Sequence, residues 1–332
     1  MNANTNPETF SDWFHYMLRN KQQASALSGG LVIMIYSGQM LAWGIFNYNI
    51  QYEDEFSNAF MPTLSRLWLF WLVASWFIAA AVAAYLGAKL VENIRKIKIY
   101  IIGYSLMMIS SCFFIIFSNW ATMILVARII AGISHGISFI SVLVHAGEIC
   151  TPKLRGMIVS SIQISIFIGV FIASLSNMQR FAVGTYQINF NLITGIIGIV
   201  LTLGGLILLY FLHIESPVYF IRKQQSQKAQ TIMMKLRNED ELSDETRNDL
   251  EDIHKMFGED FTTRDEMFEK KNIQSLTWMI ILRVAFVCSF NMPLNLVWLS
   301  SIFTTIDSGE IDPSAVSLIA LFISYISNTD SL

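Results

Sequence analysis

The chain has 332 residues, of which 54% are hydrophobic and 14% charged, with a formal net charge of −3 and a mean hydropathy of +0.49. Soluble domains carry charge on about a quarter of their residues, so this composition excludes an ordinary soluble protein and indicates a membrane protein. The slightly acidic balance, with no basic patch that interleaves aromatic residues, argues against a nucleic-acid partner.

Apolar segments long enough to cross a bilayer follow one another along the chain. A span needs about 20 apolar residues, and it must be helical because lipid offers the backbone no hydrogen-bond partners. The sequence predicts seven spans and a shorter eighth apolar segment, at residues 27–46, 68–88, 99–117, 121–145, 154–176, 189–212, 276–304 and 314–327. The predicted fold class is therefore an all-α membrane protein.

Lysine and arginine are concentrated in two short loops between the predicted spans. The basic residues are Lys89, Arg95, Lys96 and Lys98 after the second span, and Lys153 and Arg155 after the fourth. The loops around residues 53–55 and 307–312 are acidic instead. The positive-inside rule therefore predicts that the N-terminus and both basic loops are cytoplasmic. We expect a multi-pass protein of the plasma membrane.

One long polar segment separates the sixth and seventh predicted spans. Its apolar residues recur at helical spacing, and Ser243 and Gly258 are a plausible helix start and end, which predicts short amphipathic helices. The expected domains are a cytoplasmic N-terminus (1–26), a six-helix bundle (27–212), a cytoplasmic helical linker (213–275) and an incomplete second bundle with the seventh span and part of the eighth (276–332). This is the organisation of a transporter built from two six-helix halves.

Several motifs resemble the sugar porter branch of the major facilitator superfamily. They are "GAKLVENIRKIK" with Glu92, "RIIAGISHG" with Arg128, Gly132 and Gly136, "GEICTPKLRG" with Glu148 and Arg155, "SSIQISIFIG" with Gln163, "IESPVYF" with Glu215, and "SFNMPLN" with Asn295. The resemblance implies an N-terminal six-helix bundle of that superfamily, followed by the start of a second bundle. The chain would be a C-terminally truncated, glucose- or trehalose-transporter-like member.

The resemblance also implies roles for these residues. Gln163 and Asn295 would bind a sugar, whereas Glu92, Glu148, Arg155 and Glu215 would form a cytoplasmic gating network. In that network, Arg155 would pair with Glu215, and Glu148 with a basic residue of the other half. Charges at water-exposed turns form pairs worth only about 0–1 kcal/mol, which suits contacts that open in every cycle.

The fourth predicted span contains an intramembrane charge, Arg128, which must face the bundle interior or snorkel to the interface. Gly132 and Gly136 follow at intervals of one helical turn and favour close helix packing. In proton-coupled relatives the arginine faces an acid of the first span, but here Ser37 lies near that position and the span has no acid. The sequence therefore favours facilitated diffusion over proton coupling.

Two functions remain open at this point. The first is a carrier that moves a sugar or similar small polar solute by alternating access. The second is a non-transporting regulatory half-transporter or solute sensor, which acts alone or with another transporter chain. Ser289 and Phe290 replace two sugar-binding glutamines of the family, which favours the second function. No motif of an enzyme, cofactor site or metal site is recognised.

Overall fold

The computed structural model describes residues 15–50, 66–178 and 190–258, apart from residue 17, together with residues 273, 274 and 277. Every regular element in these ranges is an α-helix. The helices are α1 (Lys21–Ile50), α2 (Arg66–Asn93), α3 (Lys96–Ile116), α4 (Ala121–Ile149), α5 (Pro152–Met178), α6 (Phe190–Leu212), α7 (Pro217–Arg222), α8 (Ser226–Arg237) and α9 (Asp244–Gly258). The predictions for residues 276–332, including Asn295 and the two later spans, lie outside the described residues.

Helices α1 to α6 correspond to the first six predicted spans, and all six are long and apolar enough to cross a membrane. The prediction of an all-α membrane protein is confirmed. Several helices extend beyond the apolar windows, since α1 begins at Lys21 rather than at residue 27 and α4 ends at Ile149 rather than at residue 145. Helical hydrogen bonding continues past the segment that lipid must cover, and an apolar window detects only that segment.

The main helix–helix contacts join α2 to α4, α1 to α5 and α6, and α3 to α4 and α6. Glycine permits the closest approaches. Gly38 of α1 and Gly169 of α5 each lie against backbone atoms of the other helix, where a Cβ atom would clash. Large apolar side chains remain exposed on the outer surfaces, for example Val82 at 59% and Val200 at 63%. These surfaces suit contact with lipid tails.

Three short helices follow α6 and form the described part of the linker. Ser216 caps α7 through a hydrogen bond from the Val218 amide to its Oγ atom (3.2 Å), and Pro217 occupies the first helical position. Gln224, in a left-handed conformation with φ of 57°, separates α7 from α8. The predicted cap at Ser243 is observed, since its Oγ atom accepts the Thr246 amide at 3.2 Å. Serine side chains therefore define the starts of α7 and α9.

The residues before and at the start of α1 attach the linker to the bundle. Arg19 lies 3.5 Å from a carboxylate oxygen of Glu239 and 3.2 Å from one of Glu245. The Tyr16 hydroxyl donates to Thr151 Oγ1 (2.8 Å) in the turn between α4 and α5. The first residues thus contact both the linker and the same end of the bundle. We call this end, which carries the α2–α3 and α4–α5 turns, the basic end.

Candidate functional site

A buried polar cluster lies at the basic end, where α3 begins, α4 ends and the chain leaves α6. We call it the Lys96 cluster, and its members are Lys96, Tyr100, His145, Glu148, His213 and Glu215. The side chains of Lys96, His213, Glu148 and Glu215 are 2%, 4%, 11% and 11% exposed. Tyr100 and His145 are fully buried. Ionisable groups are rarely buried without partners, so the contacts within the cluster decide what it can do.

An ion pair joins α3 to α4. Lys96 Nζ lies 2.7 Å from Glu148 Oε2, a close electrostatic contact without the alignment of a directional hydrogen bond. Lys96 is in the first turn of α3 and Glu148 in the last turn of α4. Each charge is unfavourable for the dipole of its own helix, because an anion is favoured at an N-terminus and a cation at a C-terminus. The pair therefore compensates two charges that neither helix would stabilise alone.

Glu215 joins the start of the linker to α3. Its Oε1 atom accepts the backbone N–H groups of Lys96 (3.2 Å) and Ser216 (3.3 Å), and its Oε2 atom lies 3.8 Å from His213 Nε2. Burial by itself would raise the pKa of this carboxyl group. The neighbouring His213, the nearby imidazole of His145 and the Ser216 amide outweigh burial and lower the pKa to about 2. Glu215 is therefore a carboxylate at physiological pH, and its stabilising effect is lost only as the pH falls from about 4.5 towards 2.

His145 has a partner at each ring nitrogen. Its Nε2 atom lies 3.0 Å from the Ile214 carbonyl oxygen, which can only accept, so Nε2 carries the proton. Nδ1 then accepts the Tyr100 hydroxyl proton at 3.0 Å. The His213 ring packs beside both, with its centroid 5.2 Å from His145 and 5.7 Å from Tyr100. His145 thus holds α3, α4 and the segment after α6 together.

The pairings expected from the family are not those observed in the described residues. Arg155 is exposed and donates to the Gly147 carbonyl oxygen at 3.4 Å, rather than pairing with Glu215. Within the described residues, Glu148 pairs with Lys96 of the same half. The pairing of Arg155 with Glu215 is thus not observed, whereas the pairing of Glu148 with the other half stays a prediction, because that half lies outside the described residues. From the sequence, Lys96 is interpreted only as a topogenic charge, although it begins a helix that packs beside the end of α4. Glu92 is exposed in the last turn of α2.

The second charged site is the completely buried Arg128 of α4. Its guanidinium donates to three backbone carbonyl oxygens, those of Met40 in α1 (2.9 Å), Leu72 in α2 (2.7 Å) and Val73 in α2 (3.2 Å). It also lies 4.7 Å from the ring centroid of Trp43. Among the described residues, carbonyl dipoles and an aromatic face stabilise this charge, and no carboxylate contacts it. Arg128 of α4 thus holds α1 and α2 through backbone carbonyl groups, which every residue type has.

No acid lies inside the six described spans except Glu92 and Glu148 near helix ends. The Ser37 Oγ atom is hydrogen-bonded to His135 Nδ1 of α4 at 2.8 Å, and the observed hydrogen bonds of Arg128 go to other residues. The His135 ring stacks on Trp76 of α2, with centroids 5.0 Å apart. Arg128 thus has no acidic partner within the described spans.

Replacing Arg128 with lysine is expected to destabilise the bundle by about 1–2 kcal/mol, although the charge is kept. A lysine ammonium is a point charge that cannot reproduce the fork of donors to α1 and α2 or the stacking on Trp43. Thermal unfolding in detergent would measure the loss. The matched control is Arg247→Lys on exposed α9, which should leave the unfolding temperature unchanged. Equal unfolding temperatures for the two variants would contradict this role of Arg128.

Gln163 lies on α5 with its side chain exposed. The helix packs against α1 through Ile166 and Gly169, which lie three and six residues after Gln163. Gly156 and Ser160 are also exposed and share the helical stripe of Gln163, at intervals of four and three residues. Gln163, which is predicted to bind the sugar, thus lies on the surface of the described bundle, whereas its expected partner Asn295 lies outside the described residues.

Two glycines of α4 occupy the contact with α2. A Cβ atom at Gly132 would lie 2.9 Å from the Ala79 Cβ atom, and one at Gly136 would lie 2.7 Å from the Ala84 amide nitrogen. Both positions would also bring the added atom against a backbone carbonyl oxygen of α2. Their one-turn spacing thus places both glycines where α2 and α4 approach most closely.

Comparison with known proteins identifies a family. The family described as "Sugar (and other) transporter" matches residues 4–328. The galactose–proton symporter of Escherichia coli K12 is 29% identical over 183 residues, which cover 55% of this chain and 37% of the symporter. The human facilitated glucose transporter member 12 is 29% identical over 205 residues, covering 59% and 31% of the two chains. The matches therefore span well under half the length of these relatives.

Solved structures show the same fold. The proton:xylose symporter XylE bound to 6-bromo-6-deoxy-D-glucose aligns with a TM-score of 0.67 at 17% identity, covering 95% of this chain and 68% of XylE. The partially occluded inward-open form of XylE from E. coli gives 0.58 at 18% identity, covering 90% and 75%. The sugar porter resemblance of the sequence is confirmed: the chain has the major facilitator fold and belongs to the sugar (and other) transporter family.

Proposed function

We propose that the protein acts as a multi-pass membrane carrier of a sugar or similar small polar solute, by alternating access and without proton coupling. Membership of the sugar (and other) transporter family supports the substrate class. The observation that supports the facilitative mode is Arg128, whose charge is stabilised by backbone carbonyl groups in a bundle whose described interior has no acid. Proton symport would need a titratable partner there.

The gating role of Glu92, Glu148, Arg155 and Glu215 is part of this proposal. Glu148 and Glu215 are engaged within the Lys96 cluster, so they would fix the geometry of the basic end. Arg155 and Glu92 are exposed there and remain accessible to a second half of the transporter. The basic end would face the cytoplasm at the plasma membrane, in agreement with the positive-inside rule.

Uptake measurements in transporter-deficient cells test the proposal. Cells that produce the protein should accumulate at least one of a panel of radiolabelled hexoses, pentoses, polyols and disaccharides, down its concentration gradient only. A protonophore that dissipates the proton gradient should leave this uptake unchanged. Uptake that stops with the protonophore would contradict the facilitative mode. Absence of uptake for the whole panel, with the protein present at the cell surface, would contradict carrier function and favour a regulatory role.

Replacing Gln163 with alanine is expected to raise the KM for the transported sugar about 10- to 100-fold. A sugar hydroxyl that loses its amide partner in a dry site costs about 1–3 kcal/mol, which corresponds to this range. Uptake at varied sugar concentration would measure KM, with surface labelling to correct for the amount of protein.

The matched control for Gln163 is Gln227→Ala, which removes an exposed amide from α8. This variant should keep the KM of the unmodified protein. If Gln163→Ala left KM unchanged as well, the assignment of Gln163 to the sugar site would be wrong, while the carrier function itself would stand.

A further inference from the structure

Two stacked aromatic rings lie inside the bundle, apart from the two charged sites described above. They belong to His135 of α4 and Trp76 of α2, and their centroids are 5.0 Å apart with an angle of 28° between the ring planes. Gly132, one turn before His135, lies against the Trp76 carbonyl oxygen, so α2 and α4 approach each other closely at this point. We call His135 and Trp76 the stacked pair.

Trp76 supplies a hydrogen-bond donor that the described chain does not use. The residue is 4% exposed, and its indole Nε1–H group is buried with no hydrogen-bond partner among the described residues. An indole N–H group can only donate. Most buried polar groups in proteins are hydrogen-bonded, because an unpaired buried donor is unfavourable. Trp76 therefore needs an acceptor from outside the described residues.

His135 supplies an acceptor beside this donor. Its Nδ1 atom lies 2.8 Å from the Ser37 Oγ atom of α1. The Ser37 hydroxyl already donates to the Ile33 carbonyl oxygen at 2.8 Å, so His135 Nδ1 must donate to Ser37. A charged ring is unfavourable in the middle of a span, and a neutral ring with its proton on Nδ1 has a lone pair on Nε2. Nε2 makes no hydrogen bond within the described part of the chain, and the ring is only partly buried.

The stacked pair lies at a depth that suits solute binding. His135 is midway along α4, fourteen residues from each end of the helix. Its partner Ser37 directly precedes Gly38, which contacts Ile166 of α5, and Gln163 lies one turn before Ile166. The pair and Gln163 are therefore connected to the same level of α1, from α4 and from α5. Secondary transporters bind their solutes near the middle of the membrane.

We propose that Trp76 and His135 form a second solute contact, which recognises hydroxyl groups. The indole N–H would donate to a hydroxyl oxygen, and His135 Nε2 would accept a hydroxyl proton. A sugar or polyol satisfies both groups, whereas a carboxylate supplies only acceptors and an ammonium group only donors. The Phe139 ring, with its centroid 5.4 Å from that of His135, adds apolar surface beside the pair. The solute class in this inference rests on the proposed function.

Equilibrium binding to the full chain, purified in mild detergent, tests the proposal with radiolabelled D-glucose, D-galactose, D-xylose and myo-inositol as probes. Trp76→Phe keeps an aromatic ring but removes the N–H group, and His135→Asn keeps a donor near Ser37 but removes Nε2. Each variant should bind the tightest probe about 10-fold more weakly, as expected for one hydrogen bond lost in a dry site. The matched controls Trp120→Phe and His254→Asn change exposed residues and should bind like the unmodified protein.

Single-deoxy analogues of the tightest probe distinguish a direct contact from a loss of folded protein. The unmodified protein should bind at least one analogue about 10-fold more weakly than the parent, because the missing hydroxyl leaves Trp76 or His135 unpaired. In the variant that lacks the matching group, the same two ligands should differ by less than about 2-fold. This ratio is measured within one protein, so a smaller folded fraction does not change it.

The outcomes separate this proposal from the carrier function. Unchanged affinity and selectivity in both variants would overturn the proposal, since the stacked pair would then hold only water or pack the bundle, while uptake of a sugar would still support a carrier. Absence of binding for every probe would also overturn it. Binding that depends on Trp76 and His135, combined with absent sugar uptake, would reject the carrier function and support the solute contact.

Discussion

Replacing Lys96 with methionine is expected to lower the free energy of unfolding by about 3–5 kcal/mol, because it leaves the Glu148 carboxylate buried without a counter-charge. Methionine preserves the length and the apolar stem, so the effect isolates the ammonium group. Glu148 lies at the C-terminus of α4, where the helix dipole adds to the penalty. Thermal or chemical unfolding in detergent would measure the difference. The hydrogen bond from the backbone N–H group of residue 96 to Glu215 does not depend on the side chain that is replaced.

Two further variants separate charge from packing. In the double variant Lys96→Met with Glu148→Gln, no charge remains unpaired, so most of the lost stability should return. The matched control is Lys98→Met, which removes an exposed lysine from the same first turn of α3 and should change the unfolding free energy by less than about 0.5 kcal/mol. Equal losses for Lys96→Met and Lys98→Met would show that the ion pair does not stabilise the basic end.

The six bundle helices could be predicted because lipid imposes one constraint on every span, and long apolar segments express it directly. The same patterns could not give the partners of the charged residues. Sequence resemblance assigned Glu215 to Arg155, but the pairing depends on which helix start lies beside the end of α4, and that is a property of packing. The sequence does indicate that Lys96 needs a partner, because it is a cation in the first turn of a span, where the dipole of its own helix disfavours positive charge.

Arg128 and His213 illustrate two further limits. The absence of an acid in α1 indicated that Arg128 needed another partner, but backbone carbonyl oxygens leave no trace in a sequence pattern. Their positions become known only when α1, α2 and α4 are assembled. His213 is a single histidine after a span, and nothing near it in sequence distinguishes it from a surface residue. His213 is buried because Tyr100 of α3 and His145 of α4, which are more than sixty residues away in sequence, pack beside its ring.

Replacing Gly136 with alanine is expected to cost about 3 kcal/mol or more, at the upper end of what overpacking costs. A methyl group there would overlap the Ala80 carbonyl oxygen and would lie 2.7 Å from the Ala84 amide nitrogen. Both are backbone atoms of α2, so the clash cannot be relieved by a rotamer change, and the two helices must separate. That separation would also disturb the hydrogen bonds from Arg128 to Leu72 and Val73, two turns away on the same interface.

The control for Gly136 is Gly204→Ala in α6, where an added methyl group meets nothing within 4 Å. Alanine is favoured over glycine within a helix by up to about 1 kcal/mol, so this variant should be neutral or slightly more stable. Unfolding temperatures of both variants, with the amount of folded protein recovered from membranes, would distinguish the effect of the interface from that of glycine in general. A Gly136→Ala variant as stable as Gly204→Ala would mean that α2 and α4 do not approach as closely as the structure shows, and the positions of Arg128 and its carbonyl partners would then need revision.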